Sequence, residues 1–360
     1  MTRIIEFSGT VLTGPGTEHR GLWSVDGRLT FRRPSAAPDL ILDGWVIPGL
    51  VDAHCHIGLG PGGDVPERLA EEQAVTDRDA GTLLVRDAGA VHDTRWIAQR
   101  ADLPRLIRSG RHIARTRRYL RGFAVEVEPG DLVEAVRKQA RAGDGWVKLV
   151  GDWIDRDAGD LAPSFPARTL KDAVQAAHDE GARVTAHCFA EDTLDDMLDA
   201  GIDCIEHATG LLPRHLPRFV EQGVPIVPTL INIATFPDIA AQAEGKFPRY
   251  AAHMRALGER RAERVREAFD AGVTIYAGTD AGSVISHGRI VDELEALHAA
   301  GLPAAAALDA GAWAARDWLG ADGITEGGSA DVLVCTDDPR RNLGTLRRLK
   351  HLVLRGKALR

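Results

Sequence analysis

Eight short apolar runs recur through the middle of the chain, each the length of one buried strand: Gly49–His56, Thr82–Asp87, Arg105–Ser109, Trp146–Val150, Arg183–Phe189, Cys204–Ala208, Pro225–Leu230 and Val273–Asp280. Amphipathic stretches with apolar residues at three- and four-residue spacing lie between most of them; Asp131–Ala142 and Ala167–Glu180 are the clearest. An intervening helix returns the chain to the same end of a sheet, so such alternation makes the strands parallel. Eight repeats predict a closed (β/α)8 TIM barrel, with the C-terminal strand ends gathered at one mouth. The helical stretch from Pro237 to Asp270 precedes the eighth run and is expected to form an enlarged excursion near that mouth.

The two ends of the chain read differently. Arg3–Phe7, Val11–Leu12, Leu22–Val25 and Leu29–Phe31 are short β segments separated by the turns Gly14-Pro15-Gly16 and Asp26-Gly27. Asp331–Cys335 and Leu349–Leu354 are strand-like, and Arg355-Gly356-Lys357 is turn-like. The expectation is therefore an α/β protein in which residues 48–322 form the barrel. Residues 1–47 and 323–360 would together build a small β-sandwich domain.

A chain of 360 residues has room for both units. A formal net charge of −8 gives no basic face for nucleic acid. No apolar run approaches the ~20 residues that span a bilayer. The segment Met1–Glu6 lacks the apolar stretch of a secretion signal. Cys55, Cys188, Cys204 and Cys335 show no paired spacing and read as reduced thiols. Together these features place the chain in the cytoplasm, with a small-molecule substrate and no nucleic-acid or membrane partner. No interface stripe is legible, and a homo-oligomer stays open.

The chemistry lies at the strand ends. His54 and His56 are two apart on the first strand, so both face one side and Cys55 the other. Alone, the pair reads equally as two polar residues at a strand end. Lys148 sits inside the apolar strand Trp146–Val150, where a charge is costly unless paired or removed. Its placement is pointed in a chain with six lysines and 38 arginines. His187 and His207 end the fifth and sixth runs, and Asp280 the eighth. Singly, each is compatible with a core histidine or a turn aspartate. As a set, four histidines, a lysine and an aspartate on five strands point at one mouth. Imidazole and carboxylate suit zinc and related divalent ions. A lysine carbamate is a bidentate carboxylate that could bridge two ions ~3.5–4 Å apart.

On these residues the chain resembles the amidohydrolase superfamily, specifically its imidazolonepropionase-like or Xaa-Pro dipeptidase-like members. The resemblance is carried by Ile47–His56, Val85–Gly89, Trp146–Leu149, Val184–His187, Ile205–His207, Ala277–Gly282 with His287-Gly288, and Gly328–Val334. It implies two divalent ions, zinc first among the candidates. His54, His56 and Asp280 would hold one, His187 and His207 the second, and carboxylated Lys148 would bridge them. The lysine argues against imidazolonepropionase activity itself. The implied reaction is cleavage of an amide C–N bond, as in a dipeptide or N-acyl amino acid, by a metal-bridging hydroxide with Asp280 as general base and then acid.

One departure concerns the segment after the third run. Relatives often carry Thr-Gly-Gly-His there, whereas this chain has Thr116-Arg117-Arg118-Tyr119. Tyr119 is accordingly a candidate to polarise the substrate carbonyl, and His287 a candidate donor. Arg117 and Arg118 could clamp a carboxylate, or form part of a solvated basic loop or a subunit contact. Three other readings stay open. They are a lactonase or phosphotriesterase-like activity, a single-metal deaminase or cyclic amidase with unmodified Lys148, and a catalytically silent binding barrel.

Overall fold

The structure is a computed structural model that describes residues 3–360. Both ends of the chain enter one eight-stranded sheet. Its order runs Lys357–Ala358, His351–Leu354, Val332–Cys335, Trp45–Pro48, Ile4–Gly14, Thr17–Val25 and Arg28–Thr30, with Leu40–Leu42 paired to Ile4–Gly14. The joint between the ends is antiparallel, with Leu333 opposite Ile47. Alternate residues of these strands, including Ile5, Phe7, Leu22, Val46 and Val332, form a buried apolar cluster of their own.

Two hairpin turns close this sheet. Asp26-Gly27 and Arg355-Gly356 are two-residue turns with φ of 49° and 82°, and of 48° and 74°. Positive φ at both positions matches the twist of flanking strands and favours glycine at the second. The turns also nest together: a Cβ on Gly356 would come within 2.3 Å of Gly27 Cα. Both glycines are therefore required by contact as well as by backbone angle.

The α/β core contains two parallel sheets. Leu50–Cys55, Thr82–Asp87 and Arg105–Arg108 form one. Val125–Val127, Ile113–Arg115, Trp146–Val150, Arg183–Cys188, Cys204–His207 and Ile226–Val227 form the other. The expected helices appear as Leu132–Ala142 and Ala167–Asp179. The excursion before the eighth run contains Phe236–Ala243, Pro248–Glu259 and Arg261–Ala271. No helix of the described residues is long and apolar enough to cross a membrane.

Two places depart from the eight expected runs. After the third run, Arg105–Ser109, the chain turns at Gly110, which has a φ of +70°, and a further short strand, Ile113–Arg115, follows. Arg105–Arg108 pairs back to Thr82–Asp87, while Ile113 pairs forward to Leu149 of the Lys148 strand. The eighth run joins its neighbours through isolated bridges instead of a ladder. Ile275 bridges Ile226, and Ala281 bridges Cys55. Asp280 N donates to the His54 carbonyl at 2.8 Å. Gly278 makes this approach possible, because a Cβ there would come within 2.7 Å of His54 N.

Candidate metal centre

Period-two alternation along Leu50–Cys55 sets the first element of the site. His54 and His56 turn to one side, and their Nε2 atoms lie 3.3 Å apart. Cys55 turns to the other side, where its Sγ lies 3.7 Å from Asp77 Oδ2 and 3.6 Å from His287 Nδ1. Asp280 arrives from the eighth run in a left-handed conformation, φ 57°. Its Oδ1 lies 3.1 Å from His54 Nε2 and 3.2 Å from His56 Nε2. Ligands placed tetrahedrally about an ion at ~2.0–2.1 Å stand roughly 3.3 Å apart, so these three atoms fit one ion.

The outward-facing nitrogens fix which atoms face inward. His56 Nδ1 donates to the Gly89 carbonyl at 2.8 Å, leaving a lone pair on Nε2. His54 Nδ1 lies 3.4 Å from Glu206 Oε2. His207 Nδ1 lies 2.8 Å from Thr229 Oγ1. His54, His207 and Asp280 also bring one donor atom each within 4.8 Å of one another. His187 stands beside them, its ring 4.6 Å from that of His207, and its buried Nε2 has no partner among the described residues. Burial holds His54 and His207 well below the ordinary histidine range and lowers His187 to about 3. These rings are neutral, the form that binds metal.

Backbone strain concentrates here. Among the described residues, seven non-glycine residues have positive φ, and His207, Ala208, Thr229 and Asp280 are four of them. The turn at His207 has a specific effect. Glu206 and His207 are adjacent, yet both reach the same interior cluster because left-handed His207 breaks the alternation of its strand.

Lys148 is buried, and its Nζ touches Glu206 Oε2. Arg86 Nη2 holds the other oxygen, Oε1, at 3.0 Å. Burial pushes the Lys148 amine down to about 7. Asn232 Nδ2 donates to Asp280 Oδ2 at 2.6 Å, so each carboxylate oxygen of Asp280 has its own environment. Glu206, Arg86 and Asn232 were absent from the sequence-derived set. The legible signal was an acidic residue inside Cys204–His207 and an arginine inside Thr82–Asp87, both otherwise apolar strands.

The remaining candidates scatter. Tyr119 reaches the edge of the cluster, its ring 6.1 Å from His187, 5.2 Å from His112 and 4.7 Å from Trp153. Burial and then the Asp280 charge push its phenol upward. His287 stays out of the cluster, because its Nδ1 lies 2.8 Å from Asp77 Oδ2 on the Cys55 side of the strand. The Arg118 guanidinium is occupied by Asp155 at 2.8 Å and the Ala162 carbonyl at 2.8 Å. It fastens the hairpin of Asp152–Asp155 and Asp160–Pro163. Arg117 is exposed, and its backbone N donates to Glu126 Oε2 at 3.2 Å.

The amidohydrolase family model matches residues 45–359, which contain every residue of this cluster. The chain belongs to the amidohydrolase family. The family fold is a TIM barrel with a small added domain, and its members are generally metal-dependent. An uncharacterized protein of Mycobacterium tuberculosis is 54% identical to this amidohydrolase over 338 residues, covering 93% of this chain and 91% of its own. A solved Xaa-Pro dipeptidase with methionine bound in its active site shares the fold with a TM-score of 0.83 at 22% identity, covering 99% of each chain. Ochratoxinase of Aspergillus niger does so with a TM-score of 0.82 at 20% identity, covering 100% of this chain and 96% of its own.

Proposed function

We propose that this amidohydrolase is a metal-dependent enzyme that cleaves an amide C–N bond in a small substrate such as a dipeptide or N-acyl amino acid. The observation that carries this reading is the convergence of His54 Nε2, His56 Nε2 and Asp280 Oδ1 within 3.3 Å. These three would hold one ion, His187 and His207 a second, and carboxylated Lys148 would join them. Bound ions of this kind polarise a carbonyl and lower the pKa of water to ~7. The proposal extends to the architecture: the two parallel sheets are arcs of one closed barrel over residues 48–322, and residues 1–47 and 323–360 form the accessory domain.

The chain's own residues supply positioning and proton transfer. Asn232 occupies one lone pair of Asp280 Oδ2 and leaves the second free. Asp280 takes the proton of the attacking water at that oxygen and returns it to the leaving nitrogen. Tyr119, fixed edge-on between aromatic and imidazole rings, presents its hydroxyl to the substrate carbonyl.

One observation favours a second reading, a single ion with unmodified Lys148: the lysine touches Glu206 directly. Metal content of the purified protein, with the intact mass of Lys148-containing peptides, separates the two. Two ions per chain and a carboxylated lysine are expected. Activity is then measured over dipeptides, N-acyl amino acids, lactones and phosphotriesters. Hydrolysis of amides is the expected result. A metal-replete protein that cleaves only lactones or phosphotriesters would sink the amide assignment.

A further inference from the structure

His112 belongs to none of the sequence-derived candidates. It follows the left-handed turn at Gly110, just past the third run, where the chain passes from one parallel sheet to the other. The ring is only 1% exposed, yet neither Nδ1 nor Nε2 has a partner among the described residues. A buried polar side chain without a partner is uncommon in native proteins and points to a use for the free valences. An imidazole offers at least one N–H to a partner in either of its protonation states.

Its surroundings connect it to the cluster from two sides. The ring stands edge-on to His56 at 5.8 Å and 71°, and to Tyr119 at 5.2 Å and 79°. Gly89 makes room for it. A Cβ at Gly89, whose φ is +120°, would come within 2.8 Å of His112 Nδ1 and of its backbone N. The carbonyl of the same Gly89 accepts the His56 Nδ1 hydrogen. One glycine therefore orients a cluster histidine and admits a second, unpartnered one beside it. The backbone of His112 is itself fixed, its carbonyl accepting from Val125 N at 2.8 Å.

We propose that His112 is a further catalytic residue, donating a hydrogen bond to the same substrate oxygen to which Tyr119 presents its hydroxyl. The inference rests on the reading of this site as a hydrolase centre. In a place closed to bulk water, a fixed donor stabilises developing negative charge more than it would in solvent. The pair would hold the acyl oxygen as charge gathers there.

Three substitutions test this. H112F keeps a flat ring without nitrogens, H112L keeps bulk alone, and H112Q returns an N–H. On the substrate class that the wild-type enzyme turns over best, H112F and H112L are expected to lose roughly 100-fold in kcat, with KM little changed. H112Q recovers part of the loss. Metal content stays at the wild-type value in all three. Metal-free H112F or H112L melts no lower than wild type, since each removes unpartnered buried nitrogens. A wild-type kcat in H112F, or loss of metal from it, overturns the proposal. A lower melting temperature in both apolar variants identifies a packing role and overturns it equally. Turnover of lactones in place of amides sinks the amide reading, and the His112 comparison is then read on the lactone. A metal-loaded wild-type enzyme that turns over none of these classes overturns the proposal together with the hydrolase reading on which it rests.

Discussion

Two small polar clusters lie back to back across the strand Leu50–Cys55. His54, His207 and Asp280 occupy one side, and Cys55, Asp77 and His287 the other; each brings three possible ligand atoms within 4.8 Å. Distance alone does not tell them apart, but protons do. On the Cys55 side, Asp77 Oδ2 receives His287 Nδ1 at 2.8 Å and Oδ1 receives Gly288 N at 2.7 Å. Burial and the Asp77 charge push the Cys55 thiol well above its usual range, so it keeps its hydrogen. Every carboxylate oxygen there faces a donor. On the His54 side the ring hydrogens are directed outward, to Gly89 and toward Glu206, and lone pairs face a carboxylate. Such an arrangement lacks positive charge at its centre, which a divalent cation would supply. On the function proposed above, the Cys55 side is a latch and the His54 side would be the binding site.

The largest effect that tests this distinction is catalytic. Asp280→Asn is expected to lower kcat by ~10²–10⁴-fold, within the usual contribution of a positioned acid–base group, while KM changes little. Wild-type turnover by a metal-loaded Asp280→Asn protein would remove Asp280 from proton transfer. Next comes metal binding itself. His54→Ala should abolish the rise in melting temperature on adding zinc, worth about 2.7 kcal/mol at 100 times Kd, whereas Cys55→Ser should retain it. Zinc stabilisation lost in Cys55→Ser but kept in His54→Ala would reverse the assignment of the two sides. The smallest effect belongs to the latch. His287→Ala leaves buried Asp77 without its imidazole donor and should cost ~1–3 kcal/mol in urea unfolding. Its kcat should stay within threefold of wild type, and a kcat loss as large as that of Asp280→Asn would place His287 in the chemistry after all.

Much of this was legible in the sequence, for identifiable reasons. Apolar runs and helical periodicity depend on local spacing, so the strands carrying His54, Lys148, His187 and His207 could be located without coordinates. The isolation of Cys55 from its flanking histidines followed from strand alternation. What escaped depends on partners distant in sequence. Glu206 and Asn232 gain meaning only when Lys148 and Asp280 arrive beside them. Arg118 read as free because nothing local shows that Asp155 and Ala162 will enclose it. His112 escaped because it lies past the end of the third run, between the left-handed turn at Gly110 and the short strand Ile113–Arg115.

The nested turns at Asp26-Gly27 and Arg355-Gly356 bear on the order of folding. The strand Trp45–Pro48, which leads directly into His54, pairs with Val332–Cys335 from the far end of the chain. During synthesis its edge therefore stays open until nearly all the chain has emerged. Pairings this distant in sequence are slow to form, and an open strand edge is a template for association with other chains. The strand that carries His54 is thus anchored at its base by one of the last pairings the chain can make.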